Sequence, residues 1–283
     1  MTQTFKIALV QTSAQEDMQA TLERAADMAR DAAAQGANML QFAEFFSCYH
    51  VDNEGIHTGP LPEEAHPALP LFANLAQELG VWFDLGSLTV PAPDGRAYNR
   101  QYVIDDQGIV RATYEKIHLF DVDLGGDDRY RESASLAPGE RAVVTDTPWG
   151  RMGLSICYDV RFPHLYRDLA KAGADFLTCP AAFTHRTGQA HWHVLLRARA
   201  IETGSFVFAT CQSGMHGKAR TYGHSLVINP WGEIIAEGPE DDEAIVIAEI
   251  DVAEVAQART RIPALKHDRP YDKPAPAKAD AAE

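Results

Sequence analysis

Residues 152–163, Met152-Gly153-Leu154-Ser155-Ile156-Cys157-Tyr158-Asp159-Val160-Arg161-Phe162-Pro163, predict a strand, a turn and the start of a helix. The apolar run up to Cys157 is typical of a buried strand, and proline is favoured at the first position of a helix. A cysteine at such a strand end lies where backbone N–H groups can receive an oxyanion and where a helix dipole favours the thiolate. The alternative is a buried thiol that packs as a small apolar group. Cys157 is therefore a candidate nucleophile, with packing as the other interpretation.

The alternation of strand and helix extends in both directions from this segment. We predict strand 5–11, helix 14–35, strand 38–44, helix 67–79 and strand 81–88 before it, and helix 163–172, strand 175–179, helix 189–203 and strand 205–212 after it. Hairpins at 98–114 and 142–157 add antiparallel pairs. Strands joined by both helices and hairpins indicate a mixed sheet or two stacked sheets with helices outside. We expect one α/β domain over residues 1–269 and a flexible tail over 270–283, where no aliphatic residue is larger than alanine.

Charge and composition exclude several classes of protein. The chain has 283 residues and a formal net charge of -15, so phosphate backbones and anionic lipids should repel it, and we expect no nucleic-acid or membrane partner. No apolar stretch approaches the ~18 residues of a membrane span, and the first residues lack a secretory signal pattern. We therefore expect a cytoplasmic protein. Its four cysteines, Cys48, Cys157, Cys179 and Cys211, are too widely spaced for CxxC motifs and should be thiols.

Two further polar residues lie at or just beyond predicted strand ends. Glu44, in Gln41-Phe42-Ala43-Glu44-Phe45-Phe46, is wedged between aromatic residues, an environment that suits a general base working near neutral pH. Its other interpretation is a strand-end carboxylate turned to solvent. Lys116 has Ile117, Leu119 and Phe120 around it, although most lysines are simply solvated. Because ligand sites gather at the carboxyl ends of strands in α/β folds, we expect Glu44, Lys116 and Cys157 to converge.

Three segments, Phe42-Ala43-Glu44, Tyr114-Glu115-Lys116-Ile117-His118-Leu119-Phe120-Asp121 and Ser155-Ile156-Cys157-Tyr158-Asp159-Val160-Arg161-Phe162-Pro163, resemble the signature segments of the nitrilase superfamily of carbon–nitrogen hydrolases, in that order. The resemblance covers about residues 5–265. It implies a four-layer αββα sandwich with Glu44 as general base, Lys116 as stabiliser of the tetrahedral intermediate and Cys157 as nucleophile. A second glutamate of the family matches Glu132 in Tyr130-Arg131-Glu132-Ser133. No metal ion and no cofactor is implied.

Further segments, among them Pro180-Ala181-Ala182-Phe183-Thr184 and Tyr222-Gly223-His224-Ser225, resemble the amidase branch that includes deaminated-glutathione amidases and, more distantly, ω-amidases. The resemblance implies a small carboxylate-bearing linear amide as substrate, cleaved to acid and ammonia through a thioester. The Tyr158 backbone N–H would help hold the oxyanion, Phe183 and Thr184 would line the pocket, and Arg161 or Arg186 would meet the carboxylate. An ω-amidase or an N-carbamoyl amino acid amidohydrolase is the alternative within the superfamily. The family also implies a homodimer or larger assembly.

Two interpretations from other classes of protein stay open. His185, His191 and His193 with Asp159 could form a metallo-hydrolase site, although residues two apart on a helix point to nearly opposite faces. The chain could also be a non-catalytic binding or scaffold protein. The complete set of Glu44, Lys116, Cys157 and Glu132 argues against that role.

Overall fold

The computed structural model describes residues 4–52, 55–125 and 129–274. The strands in these ranges are β1 (Thr4–Gln11), β2 (Met39–Phe42), β3 (His50–Val51), β4 (Ile56–His57), β5 (Trp82–Asp84), β6 (Leu88–Pro91), β7 (Ala97–Ile104), β8 (Val110–Glu115), β9 (Asp121–Asp123), β10 (Arg129–Arg131), β11 (Leu136–Ala137), β12 (Val144–Thr147), β13 (Gly150–Gly153), β14 (Phe176–Thr178), β15 (Phe206–Ala209), β16 (Met215–His216), β17 (Ala219–Arg220), β18 (Leu226–Ile228), β19 (Ile234–Glu237) and β20 (Ala244–Asp251). The α-helices are α1 (Met18–Ala34), α2 (Ala68–Leu79), α3 (Pro163–Lys171), α4 (His185–Thr203) and α5 (Ala253–Arg261).

Two large sheets organise these elements. The first has the strand order β11-β7-β5-β2-β1-β20, with β6 and β8 also paired to β7, and the second has the order β12-β13-β14-β15-β18-β19. Strands β1, β2 and β5 run parallel in the first sheet, and β13, β14 and β15 run parallel in the second. The chain segments that follow β2, β13 and β14 therefore leave the carboxyl ends of parallel strands, where ligand sites are typical.

The side-chain alternation of β1 separates two buried layers. Ile7 and Leu9 belong to the cluster that contains Phe176 of the second sheet, so this face of β1 packs between the sheets. Ala8 and Val10 belong to the cluster formed with residues of α1 and α2, so the other face packs against helices.

Helices cover the outer face of each sheet. α1 and α2 contact β1 and β5 of the first sheet, whereas α3 and α4 contact β13, β14 and β15 of the second. Between the sheets, the ring of Phe5 stacks on Trp149 at 4.6 Å and meets Phe176 edge-on at 5.4 Å. The layers are therefore helix, sheet, sheet and helix, and the predicted αββα sandwich is confirmed.

Two helices begin at residues other than the predicted ones. α1 begins at Met18 and not at residue 14, because the Asp17 side chain caps it by accepting a hydrogen bond from the Ala20 N–H at 3.1 Å. α4 begins at His185 and not at residue 189. Gly188 lies inside this helix, where a Cβ would come within 2.2 Å of the Tyr222 ring, so glycine serves close packing there and does not break the helix.

The strand before Cys157 is also shorter than predicted. β13 ends at Gly153, and the chain continues with the Leu154 N–H donating to the Val143 carbonyl oxygen at 3.0 Å. Cys157 then opens the 3-10 helix Cys157–Arg161. The predicted order of strand, turn and helix is correct, but the nucleophile candidate lies in the turn and not on the strand.

The predicted tail falls partly outside the described residues. Residues 270–274 are exposed and belong to no helix or strand, and residues 275–283 lie beyond the described range. None of the described helices has the length and apolarity needed to cross a bilayer.

From the shifted pKa values of buried titratable groups, we expect that acid lowers the stability of the fold. Burial lowers the pKa of both His66 and His216 from 6.5 to about 4. The free energy of unfolding that the two neutral side chains contribute is therefore complete above pH 6.5 and is lost as the pH falls towards 4. Burial raises the pKa of Asp84 from 3.8 to about 6, which acts in the opposite direction, with stability lost as the pH rises from 3.8 to 6. The combined effect of the two histidines on stability is larger than the opposite effect of the one aspartate. We therefore expect the urea concentration at half-unfolding to decrease as the pH is lowered from 6.5 to 4.

The matched variants for this test are His216→Gln and His267→Gln, the latter at an exposed position. The first should flatten the pH dependence of the urea midpoint, because a glutamine side chain takes up no proton when the chain unfolds. The second should leave the pH dependence of the urea midpoint unchanged. Equal slopes for the wild type and His216→Gln would contradict the assignment.

Candidate active site

Glu44, Lys116 and Glu132 form one buried ion cluster. Lys116 Nζ donates to Glu44 Oε1 and to Glu132 Oε1, each at 2.8 Å. Lys116 and Glu44 are each 2% exposed, and Glu132 is 4% exposed. Charges at this depth require close pairing, since an unpaired ion would have a desolvation penalty of several kcal/mol. The structure thus brings together three of the polar residues selected from the sequence. Glu44 follows β2, Lys116 follows β8, and Glu132 opens the 3-10 turn Glu132–Ala134.

Both carboxylate oxygens of Glu44 are held in place. Asn99 Nδ2 donates to Oε1 at 2.8 Å, and the Ala182 backbone N–H donates to Oε2 at 2.8 Å. Gln212 Nε2 donates to the Glu44 carbonyl oxygen at 3.0 Å. A carboxylate fixed by donors from separate segments has a defined orientation towards the pocket.

Lys116 is held through its backbone as well. Its N–H donates to the Asn99 carbonyl oxygen at 2.9 Å, and its own carbonyl oxygen accepts from the Gly139 N–H at 2.8 Å. A Cβ on Gly139 would lie 2.2 Å from the Glu115 carbonyl oxygen, so only glycine permits this close approach.

Cys157 lies at a strained turn facing the same cluster. Its φ is +47°, a left-handed conformation that is unusual for a residue with a Cβ, and its N–H donates to the Pro180 carbonyl oxygen at 2.9 Å. The side chain lines one pocket together with Glu44, Lys116 and Glu132. All four residues that the family resemblance selects therefore surround a single cavity.

Asp159 fixes the turn that carries Cys157. Its carboxylate accepts hydrogen bonds from the Ile156 N–H at 2.9 Å, the Tyr114 hydroxyl at 2.7 Å and the His118 N–H at 3.1 Å. The His118 ring Nδ1 also lies 2.7 Å from the same carboxylate. Because Tyr114 and His118 flank Lys116 in sequence, this buried carboxylate joins the cysteine turn to the lysine loop.

The electrostatics of the cluster keep the lysine charged and the thiol protonated. Burial lowers the pKa of Lys116, but the carboxylates of Glu132 and Glu44 outweigh it and the pKa lies well above the ordinary value. Burial and Glu44 raise the pKa of the Cys157 thiol well above its ordinary value, against the opposing effect of Lys116. Burial also raises the pKa of Glu132, which Lys116 opposes.

Any favourable effect of the helix N-terminus on a Cys157 thiolate is therefore outweighed. The helix that follows is a single 3-10 segment, and burial beside the carboxylate of Glu44 has the larger effect on the pKa of the thiol. A thiol in this environment needs a base that removes its proton during attack.

The walls of the pocket are mainly aromatic and apolar. Tyr158, Phe183 and Thr184 line it, at the positions that the sequence selected. The other lining residues come from further parts of the chain and were not selected from the sequence, namely Phe45, Tyr49, Ile56, Phe120, Tyr130, Ala182 and Thr187.

The two candidate arginines lie outside the described pocket lining. The Arg161 guanidinium lies over the rings of Tyr158 and Phe183, 5.6 Å and 5.3 Å from their centroids, and its Nη1 is 3.2 Å from His191 Nδ1. Arg186 Nη1 donates to the Leu124 carbonyl oxygen at 2.8 Å. Arg161 therefore supports two aromatic walls of the pocket through cation–π contacts.

Asn99 and Asp159 are the main functional residues that the sequence did not identify. Asn99 lies within β7, where an asparagine between alternating residues gives no signal of contact with Glu44. Asp159 lies within the segment that carries Cys157, but the sequence pointed to it only as a metal ligand. A carboxylate two residues after a nucleophile candidate, beside the N–H groups of a turn, is a signal that could have identified it.

The metallo-hydrolase site expected as an alternative is not formed by these residues. His185 pairs with Glu240, His191 lies by Arg161, and Asp159 accepts hydrogen bonds from its own turn. His193 instead lies 3.1 Å from Glu237. The four residues thus have separate partners and do not converge on one ion.

Comparison with known proteins agrees with this geometry. The family model for carbon-nitrogen hydrolases matches residues 6–260. A deaminated glutathione amidase from Yersinia enterocolitica is 40% identical over 237 residues, covering 82% of this chain and 79% of that protein. The structure of a Saccharomyces cerevisiae member of branch 10 of the nitrilase superfamily has a TM-score of 0.80 at 30% identity, covering 92% of this chain and 95% of that one.

A variant of the amidase from Nesterenkonia sp. AN1 matches with a TM-score of 0.75 at 27% identity, covering 89% of this chain and 92% of that one. In that protein, the acetamide moiety of fluoroacetamide is covalently attached to the active-site cysteine. The family match spans both sheets and every residue of the buried cluster. The chain therefore belongs to the carbon–nitrogen hydrolase family, in the amidase branch of the nitrilase superfamily.

Proposed function

We propose that the protein hydrolyses a small carboxylate-bearing linear amide, of the deaminated glutathione type, to a carboxylic acid and the amine of that amide through a thioester on Cys157. The released amine is cysteinylglycine for deaminated glutathione and ammonia for a primary amide. The observation that carries this proposal is the buried cluster of Glu44, Lys116 and Glu132 facing Cys157 across one pocket. Relatives named deaminated glutathione amidase in several organisms support the substrate class.

In the first half-reaction, Cys157 Sγ attacks the amide carbon while its proton passes to Glu44. Because the pKa of this thiol is raised, proton removal accompanies the attack, as general base catalysis requires. The Lys116 ammonium and the Tyr158 backbone N–H stabilise the negative charge that develops on the carbonyl oxygen. The carbon–nitrogen bond then breaks, Glu44 returns the proton to the leaving nitrogen, and the amine departs.

In the second half-reaction, water attacks the thioester and Glu44 accepts its proton. The carbon–sulfur bond breaks, Glu44 gives the proton it took from water to the Cys157 thiolate, and the carboxylic acid leaves. Splitting one difficult hydrolysis into two easier steps is the gain from covalent catalysis. Glu132 touches no reacting atom in this scheme; it pairs with Lys116 and keeps the lysine cationic and fixed beside Glu44.

The carboxylate of the substrate needs a local cation, because the formal net charge of the chain is -15. Arg161 and Arg186 remain the candidates for this contact. Arg161 lies over two pocket walls, the rings of Tyr158 and Phe183, and is therefore the better placed of the two. Phe183 and Thr184 would contact the amide portion of the substrate.

A panel of substrates tests this proposal. We expect deaminated glutathione to be hydrolysed with a kcat/KM at least about 100-fold above that of simple nitriles, since binding of the carboxylate-bearing part positions the amide at Cys157. The released amine is measured for deaminated glutathione and other α-keto amides, and ammonia for N-carbamoyl amino acids and nitriles, with Cys157→Ala as the blank. A preference for nitriles or for N-carbamoyl compounds would contradict the substrate class while leaving the thioester chemistry in place.

We also propose that residues 1–269 act as one domain in the cytoplasm, with a homodimer as the smallest assembly. Exposed apolar side chains on α4, Val194 at 68% and Ile201 at 52%, support an interface there.

A further inference from the structure

We propose that His193, His224 and Glu237 bind one divalent transition-metal ion, with Zn²⁺ as the fitting ion, and so tie α4 to the β18–β19 hairpin outside the catalytic pocket. The three residues come from α4, from the segment before β18 and from the end of β19. A metal there would join a helix of one outer layer to the strands that it covers. The inference does not depend on the proposed substrate.

The ligand atoms are already close together. His193 Nε2 and His224 Nδ1 lie 3.1 Å and 2.7 Å from the same oxygen, Glu237 Oε1. One ligand atom from each residue lies within 4.8 Å of the others. Two imidazole nitrogens with one carboxylate oxygen are a donor set that zinc sites use, with water in the fourth position.

Polar groups around the three ligands support the same site. His224 Nε2, the ring nitrogen that does not face Glu237, lies 3.8 Å from Glu240 Oε2. Glu240 Oε1 is in turn 2.7 Å from His185 Nε2. Metal-ligating histidines usually donate their other ring N–H to a carboxylate, which orients the ring and raises its basicity.

The surroundings allow an ion to enter and hold the ligands in place. The side chains of His193, His224 and Glu237 are 29%, 22% and 39% exposed, so solvent reaches the cluster. Trp192 Nε1 donates to the His224 carbonyl oxygen at 2.8 Å and anchors that residue to α4. The strongly negative chain also favours a cation over an anion at this surface.

The cluster is separate from the catalytic residues. Its members do not line the pocket that contains Cys157. One connection runs through Trp192, whose ring packs on the pocket residue Phe183 at 4.9 Å. An ion held by these three residues would therefore brace a wall of the pocket without touching a reacting atom.

Zinc uptake by the full-length protein tests this site. The protein is stripped with a chelator, desalted and dialysed against Zn²⁺, and bound metal is counted by mass spectrometry while a competing chelating dye reports affinity. We expect one Zn²⁺ per chain in the wild type and an affinity at least about tenfold weaker in His193→Gln and in Glu237→Gln. His191→Gln, two residues away on the same helix, is the matched control and should bind as the wild type does.

Two further measurements distinguish this site from zinc held by a thiol or by scattered surface groups. Cys157→Ala should retain the bound Zn²⁺, because the site contains no thiol, and Zn²⁺ should raise the thermal midpoint of the wild type and of His191→Gln but not of His193→Gln. A Co²⁺-loaded wild type should show visible d–d absorption that is absent from His193→Gln. Lack of stoichiometric Zn²⁺ uptake by the wild type, or equal affinity in His193→Gln and His191→Gln, would overturn the proposal.

Discussion

Replacing Cys157 with alanine is expected to lower kcat by at least about 10⁴-fold, because no other group lining the pocket is placed to form the thioester. The substitution removes one sulfur atom from a turn whose backbone is held by Asp159 and Pro180, so the fold should persist. Release of the product amine from the preferred amide is the readout, with the urea midpoint as the check on folding. Cys157→Ala with a kcat within tenfold of the wild type would contradict the assigned nucleophile.

Cys48→Ala is the matched control for this experiment. Cys48 is also a buried free thiol, but it lies outside the pocket lining, so its loss should change kcat by less than about twofold. Alkylation by iodoacetamide is a second way to distinguish the two thiols: Cys157 should be alkylated much faster than Cys48 when Glu44 is present to accept the thiol proton.

EDTA should leave turnover of the wild type intact, since no metal takes part in the proposed chemistry.

Replacing Lys116 with methionine is expected to impair both catalysis and folding. The ammonium is removed from between two buried carboxylates, and breaking a buried ion pair costs about 3–5 kcal/mol of unfolding free energy. Loss of the charge that stabilises the oxyanion should lower kcat by at least about 10³-fold. Urea unfolding and release of the product amine measure the two effects separately.

The double variant Lys116→Met/Glu132→Gln separates these effects. Neutralising Glu132 removes one of the two unpaired charges and should recover a large part of the lost stability, while the oxyanion remains unsupported and kcat stays low. Recovery of activity together with stability would show that Lys116 acts only through folding. No recovery of stability would contradict the assignment of Glu132 as the partner that balances Lys116.

Three residues of the candidate site, Glu44, Lys116 and Cys157, could be selected from the sequence because each has a local signal. Glu44 and Lys116 follow strands, Cys157 precedes a proline-initiated helix, and parallel strands bring their carboxyl ends to one edge. Strands joined by both helices and hairpins indicated a mixed sheet or two stacked sheets with helices outside, and the family resemblance specified the αββα order. These signals depend on neighbours in sequence, which is why they can be recognised without coordinates.

Contacts between distant segments could not be predicted in this way. Asn99 reaches Glu44 across 55 residues, and Gln212 reaches the same residue across 168. The raised pKa of the Cys157 thiol could not be predicted either, because a helix N-terminus is visible in sequence whereas the depth of burial and the nearness of Glu44 are not. His193 and His224 meet for the same reason that Asn99 and Glu44 do, through packing between separate elements.

The most direct test of the thioester mechanism is mass spectrometry of the acid-quenched wild-type enzyme during turnover of its preferred amide. The account predicts a covalent adduct with the mass of the substrate acyl group, located on the peptide that contains Cys157 and released by hydroxylamine. Cys157→Ala should carry no adduct under the same conditions. Multiple turnovers with an adduct on another residue, or an adduct that persists in Cys157→Ala, would contradict the account.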